Sequence, residues 1–195
     1  MERNTFTGKQ SIRNKYLGCR NGLTAKERSD KSNLICEKVK EQKVFAEARA
    51  VLVYMDYRSE VMTTRFVEEL LSAGEKKVYA PKVEGMDIQF YEIKALSDLK
   101  EGYQGIREPE GSPETLLTVE MTKDMKCLAL VPGAVFDRER GRMGYGKGFY
   151  DRFLAKYTEV TTAALAFECQ IAKSVPTEAH DRRMDMIITE NEVIG

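Results

Sequence analysis

The chain has one histidine, His180, in 195 residues. That scarcity excludes every multi-histidine metal site and leaves little room for a Ser-His or Cys-His nucleophile. The cysteines exclude more. Cys19, Cys36, Cys127 and Cys169 are far apart and form no C-x-x-C pair, so neither a zinc site nor a disulfide framework is indicated. A reducing cytoplasm is the expected compartment. Charge of one sign is also missing: 31 Lys plus Arg balance 31 Asp plus Glu. The chain therefore lacks the electrostatic footprint of a nucleic-acid binder. No apolar run approaches the ~20 residues of a membrane helix, and residues 1–13 are polar, without the apolar core of a signal peptide. Neither nucleic acid nor a membrane is an expected partner, and a monomer is expected. Any chemistry falls to carboxylates, Lys and Arg, backbone amides or a bound metal.

What is present is a globular composition, with 42% hydrophobic and 32% charged residues well mixed. The length fits one domain over residues 1–195, with residues 1–45 as an N-terminal helical segment packed on it. Residues 8–19 read as a first helix with Ile12, Tyr16 and Leu17 on one face. Thr24 and Glu27 fit a capping box that starts a second helix running to about Lys43, with Leu34, Ile35 and Val39 as its apolar stripe. AVLVYM (50–55) and CLALV (127–131) are short continuous apolar runs, the pattern of strands buried on both faces. Between them lie a helix with Phe66, Val67, Leu70 and Leu71 at helical spacing, ended by Gly74, a strand over 77–81 and an alternating strand over 88–93. Residues 98–115 read as a long loop. Further strands are expected over 161–167 and 186–189, after a helix that buries Phe149, Phe153, Leu154 and Tyr157. Strand-helix alternation of this kind implies an α/β sandwich with a mostly parallel sheet.

The least ordinary stretch is residues 132–150, which includes Gly141, Gly144, Gly146 and Gly148. Alternating glycines between a buried strand and a helix let the backbone approach a ligand and aim N–H groups at it. Arg138, Arg142 and Lys147 add full charges, a combination suited to a polyphosphate. Arg142 and Lys147 are expected to face solvent or ligand. Two standard motifs fail here. Gly141 to Lys147 spells G-x-x-x-x-G-K, but Gly148 stands where a magnesium-binding Ser or Thr is needed. Phe149 stands where the dinucleotide fingerprint needs its third glycine. The competing reading is a flexible surface turn with solvated charges.

The run PGAVFDRERGRMGYGKGFYDRFL resembles the signature of the 5-formyltetrahydrofolate cyclo-ligase family, also called 5,10-methenyltetrahydrofolate synthetases. Lys9-x-x-x-Arg13, YMDYRSEV (54–61), GIREPEG (105–111), ALAFECQ (164–170) and HDRRMDMIITE (180–190) are similar to further blocks of that family in the same order. The resemblance implies a three-layer α/β/α sandwich like that of sugar-phosphate isomerases and CoA-transferases. It also implies ATP-dependent, magnesium-assisted conversion of 5-formyltetrahydrofolate into 5,10-methenyltetrahydrofolate, ADP and phosphate.

By position, the resemblance gives Lys9 and Arg13 to the ATP phosphates. Without it they read as two solvated charges one turn apart. Arg142, Met143, Gly144, Tyr145, Gly146, Lys147, Gly148, Phe149 and Tyr150 would wrap the triphosphate. Arg142, Lys147 and Tyr150 stand nearest the chemistry. Asp151 and Asp181 match the magnesium-associated aspartates, although Asp151 also reads as a first-turn acid favoured by the helix dipole. Glu60 matches a folate-contacting glutamate, with Met55 and Phe149 as walls for the pterin. In place of the aromatic residue that many members close over the folate stands Gln104, with Tyr103 beside it. Two other readings remain open: an ATP-independent isomerase-like or CoA-transferase-like enzyme, and a non-catalytic nucleotide-binding relative.

Overall fold

The computed structural model describes residues 3–176 and 182–195, with the side chains of residues 3–7 left aside. Helix α1 (Arg3–Asn21) is followed by α2 (Ala25–Lys40) and a short α3 (Lys43–Glu47). Strand β1 (Ala50–Leu52), helix α4 (Thr64–Ala73) and strands β2 (Lys77–Glu84) and β3 (Asp87–Ile93) come next. The segment expected as a loop holds a two-stranded ribbon, β4 (Leu99–Glu101) with β5 (Arg107–Pro109). Then follow α5 (Val119–Asp124), β6 (Cys127–Val131), β7 (Val135–Asp137), β8 (Arg142–Met143), α6 (Phe149–Lys156), β9 (Thr161–Leu165), β10 (Ile171–Ala172), β11 (Met186–Ile188) and β12 (Val193–Ile194).

The second helix starts as its capping box dictates. The Glu27 N–H donates to Thr24 Oγ1 at 3.2 Å, and the Thr24 N–H donates to Glu27 Oε2 at 2.8 Å. It ends earlier than its pattern suggested, and its buried face is Ser32, Ile35, Cys36 and Val39. Leu34 is more than half exposed. Ser32 takes the inward position because its hydroxyl accepts the Met62 N–H at 2.9 Å, which satisfies a polar group that burial would otherwise penalise.

The main sheet has the order β12-β11-β9-β6-β1-β2-β3. Its five inner strands are parallel, and β3 and β12 close the two edges antiparallel. Alternate residues of each inner strand feed two separate cores, as a pleated strand covered on both faces must. Val51, Leu128, Leu130, Ala163 and Ile188 join Ile35, Val39, Phe66 and Val67 of α2 and α4. Leu52, Ala129, Val131, Ala164 and Ile187 join Phe153, Leu154 and Tyr157 of α6 on the other face. The mixed α/β, mostly parallel architecture expected from the alternation is what forms.

After β1 the chain adds β2 on one side, then returns to place β6 on the other. The order therefore reverses between β1 and β6, and ligands of open parallel sheets bind in the crevice at such a reversal. The segment expected as a glycine loop running straight into a helix is more elaborate. β7 and β8 form an antiparallel hairpin, and β10 pairs parallel with β7 to make a second, three-stranded sheet. Ile12, Tyr16 and Leu17 of α1 pack on that small sheet, using the face the sequence marked as apolar.

Candidate active site at the sheet reversal

Two segments meet beyond the carboxyl ends of β1 and β6. The first, residues 53–63, is mostly buried and held by its own polar side chains. Asp56 Oδ1 accepts the N–H groups of Thr63 and Thr64 at 2.9 and 3.1 Å and the Thr64 hydroxyl at 2.9 Å. Thr63 Oγ1 donates to the Tyr54 carbonyl at 2.6 Å, and Tyr54 Oη donates to the Val61 carbonyl at 3.1 Å. This bracing presents Glu60, which is 6% exposed. Burial pushes its carboxyl pKa up. The Tyr145 hydroxyl, the Tyr57 N–H and the Arg20 charge work against that rise, and Asp56 adds to it.

The second segment is anchored by a residue the sequence reading passed over. Asp137 is buried, and its carboxylate accepts the backbone N–H groups of Glu139 (3.0 Å), Gly141 (2.8 Å) and Val175 (2.6 Å). These bonds shape the β7–β8 turn, where Arg140 adopts φ +64°. Beyond β8 the chain passes through Gly146 (φ +96°) and Gly148 (φ +69°), backbone conformations that residues with a Cβ rarely adopt. Arg13 Nε donates to the Gly144 carbonyl at 2.9 Å, which joins α1 to the loop. Lys9 lies one turn earlier on the same helix.

Arg142 departs from expectation. Its side chain is only 4% exposed, pairs with Asp151 Oδ1 and donates to the Pro132 carbonyl at 3.1 Å. Its guanidinium also lies 5.8 Å from the Tyr150 ring centre. An arginine at this position cannot swing through solvent; it is fixed at the loop's base. Lys147 is exposed, as anticipated. Burial and the nearby Glu60 charge push the Tyr150 hydroxyl well above its ordinary pKa, so it stays protonated. Phe149 and Tyr150 are half-buried against the core under α6.

The structure brings Arg13, Glu60, Arg142, Met143, Gly144, Tyr145, Tyr150 and Asp151 together, and Phe149 borders them. Met55 is buried in the core that α2 and α4 cover. Tyr103 sits edge-to-face with Phe149, ring centres 6.0 Å apart, while Gln104 occupies the left-handed turn beside it. Asp181 and His180 lie outside the described residues. Arg20, near the end of α1, is a further member of the site. Here it is 4% exposed and donates to Ser59 Oγ (2.9 Å), Tyr145 Oη (2.6 Å) and the Gly133 carbonyl (3.3 Å).

The donor set fits a magnesium ion of the kind that travels with nucleotide phosphates. Such an ion takes hard oxygen ligands, often from one or two carboxylates, with phosphates and waters completing the shell. Asp151, 43% exposed at the start of α6, offers a carboxylate beside cationic Arg142. Among the described residues, no three His, Cys, Asp or Glu side chains gather into a metal-binding cluster. No described helix is long and apolar enough to cross a membrane. A depression of about 730 Å³ lies elsewhere, at the amino ends of the strands, lined by charges of both signs that include Arg49, Lys76, Glu75 and Glu92.

Fold and site together define an α/β protein with a cationic glycine loop facing a buried carboxylate at the reversal of a parallel sheet. The chain belongs to the 5-formyltetrahydrofolate cyclo-ligase family, whose model matches residues 5–190. It is 32% identical to the 5,10-methenyltetrahydrofolate synthetase of Aquifex aeolicus. The two structures superpose with a TM-score of 0.82 over 95% of this chain and 91% of that one. It is 28% identical to the 5-formyltetrahydrofolate cyclo-ligase of Mus musculus, covering 87% of each chain. A 5,10-methenyltetrahydrofolate synthetase from Mycoplasma pneumoniae, at 22% identity and a TM-score of 0.73, shares the fold over 93% of this chain and 98% of that one.

Proposed function

We propose that this protein converts 5-formyltetrahydrofolate into 5,10-methenyltetrahydrofolate with consumption of ATP. The observation that carries the reading is the meeting of the cationic glycine loop with the buried Glu60 at one crevice, in a chain of this family. A formamide oxygen is a very poor leaving group. Transfer of the ATP γ-phosphoryl group to that oxygen makes it a phosphate ester of an imidate. The folate's own N10 then attacks the imidate carbon and gives up its proton to solvent, the C–O bond breaks, and the oxygen departs within inorganic phosphate. Such a sequence needs positioning and charge neutralisation more than a protein nucleophile, which suits a chain with a single histidine.

In this reading Lys9 and Arg13 hold phosphates from α1, and the backbone of residues 142–150 wraps the triphosphate. Lys147 follows the phosphoryl group on its flexible stem. Arg142, already desolvated and fixed, supplies a preorganised charge where negative charge builds up. Glu60 accepts hydrogen bonds from the pterin, with Phe149 and Met55 as its walls. Tyr103 takes the place of the aromatic cover. Tyr150, protonated, donates to the reacting formyl group. Asp151 and Asp181 would hold magnesium, which when bound neutralises phosphate charge. We further propose one domain over residues 1–195, acting as a monomer in the cytoplasm.

The test is incubation with 5-formyltetrahydrofolate and Mg-ATP, following the methenyl chromophore and ADP together. One ADP per product is expected. Product without ATP, or ATP turnover indifferent to folate, overturns the reading. Asp151→Asn is expected to need more magnesium at fixed ATP. An unchanged magnesium titration would return Asp151 to the role of partner for Arg142.

A further inference from the structure

The family resemblance places Tyr145 with the nucleotide-wrapping loop, but its side chain leaves that loop. Its hydroxyl reaches a residue 85 positions earlier in the chain and donates to Glu60 Oε1 at 2.5 Å. Arg20 Nη1 donates to the same hydroxyl at 2.6 Å, and the Arg20 guanidinium lies 5.5 Å from the Tyr145 ring centre. Arg20 is in turn fixed by Ser59 and the Gly133 carbonyl. The other carboxylate oxygen, Glu60 Oε2, accepts the Tyr57 N–H at 2.9 Å. A carboxylate offers about four acceptor positions, two on each oxygen. With one bond on each oxygen from the protein, one acceptor position on each remains. That is the pattern that receives two parallel N–H donors of one planar ligand.

We infer that Tyr145 is a positioning residue for the Glu60 carboxylate: the glycine loop's aromatic side chain orients the group that receives the folate ring, and does not contact the nucleotide. The inference rests on the cyclo-ligase reading and on Glu60 as the acceptor of the ring's N–H donors. The charges around Glu60 fit this role. Arg20 faces it from α1, Tyr54, Asp56 and Tyr57 from the segment after β1, Tyr145 from the loop and Tyr150 from α6. Burial favours the neutral carboxyl, and the hydrogen bond from Tyr145 is the first influence that opposes it. Without that bond the carboxyl protonates at higher pH, and a protonated carboxyl has lost acceptor capacity.

Tyr145→Phe keeps the ring on Arg20 and removes only the hydroxyl. With 5-formyltetrahydrofolate and Mg-ATP as substrates, the folate KM should rise about tenfold, the scale for losing a hydrogen bond to a charged group. The ATP KM should stay within about twofold, and the folate KM should climb further as pH is lowered. A raised ATP KM with an unchanged folate KM overturns the inference. So does a fall in kcat with neither KM nor the pH profile moving. Glu60→Gln separates the two layers. If Glu60→Gln raises the folate KM and Tyr145→Phe does not, the positioning role alone fails. If Glu60→Gln leaves the folate KM unchanged, the reading of Glu60 fails and the inference falls with it. In the Glu60→Gln background, Tyr145→Phe should add nothing to the folate KM; an additive rise overturns the inference. Calorimetric titration of 5-formyltetrahydrofolate without ATP should show the same tenfold loss, whether or not the variant turns over. Should Tyr145→Phe melt early, Arg20→Lys, which cannot hold Ser59 and Tyr145 together, is the second variant, with the same shift expected.

Discussion

The segment after β1 and the glycine loop face one crevice, yet they are built on opposite terms. In residues 53–63, Tyr54, Ser59, Glu60 and Thr63 are all buried and cross-braced by Asp56 and Arg20. In residues 144–148, Tyr145, Gly146 and Lys147 are exposed, and two glycines hold left-handed backbone. A fully satisfied buried network fixes a single geometry, whereas an exposed loop with few apolar contacts opens at little cost. The contrast matches the two ligands of the proposed reaction. A flat heterocycle needs acceptors at fixed spacing, and a triphosphate needs charges that follow it. Two side chains join the two regimes: Arg142, buried at the loop's base, and Tyr145, whose hydroxyl reaches Glu60.

The sharpest way to break this contrast is to remove one cation of each kind. Arg142→Ala should lower kcat/KM by about a hundred- to a thousandfold, and Lys147→Ala by about ten- to a hundredfold. Only Arg142→Ala should also lower the melting temperature, because it strips partners from Asp151 and the Pro132 carbonyl. Equal melting temperatures would show that burial does not distinguish them. A second, smaller effect is expected at the anchor. Asp137→Ala leaves three backbone N–H groups without their acceptor, a loss of about 3 kcal/mol, or a melting temperature lower by roughly 6–12 °C for a domain of this size. If its melt matches that of the parent protein, the hairpin holds without its carboxylate.

The smallest effect carries the opposite sign. Burial raises the Glu60 carboxyl pKa in the folded state. A carboxyl raised on folding contributes stability that is fully present below its unfolded pKa, near about 4.3, and is lost as pH rises through the folded value. Glu60→Gln should therefore melt slightly higher than the parent at neutral pH, with the gap closing as pH is lowered. A variant that melts lower at every pH would mean that the bonds from Tyr145 and Tyr57 outweigh the burial.

What was legible in the sequence was what is local or continuous. Thr24 and Glu27 announce a helix start because both halves of the box lie within four residues, and the runs around Val51 and Leu128 announce inner strands because both faces are apolar. The family blocks led to the fold and to the family. The β7–β8 hairpin was not legible, since strands of three and two residues carry no periodicity. Leu34 was misplaced because the inward stripe is Ile35, Cys36 and Val39 at helical spacing, which Ser32 joins by accepting the Met62 N–H. The bond from Tyr145 to Glu60, and the pairing of Arg142 with Asp151, depend on the β7–β8 hairpin turning the loop back over the crevice, which no spacing reveals.

The bonds from α1 span the chain: Arg13 reaches a carbonyl 131 positions on, and Arg20 a hydroxyl 125 positions on. During synthesis α1 must therefore wait until the glycine loop has been made before these polar partners exist. Contacts at such separation carry the largest loop-closure entropy and tend to form late. The crevice should thus be among the last parts to assemble after dilution from denaturant. Substitutions at Arg13 or Arg20 should then speed unfolding and leave the refolding rate nearly as it was. A site closed by α1 becomes competent only once the glycine loop has folded back to meet it.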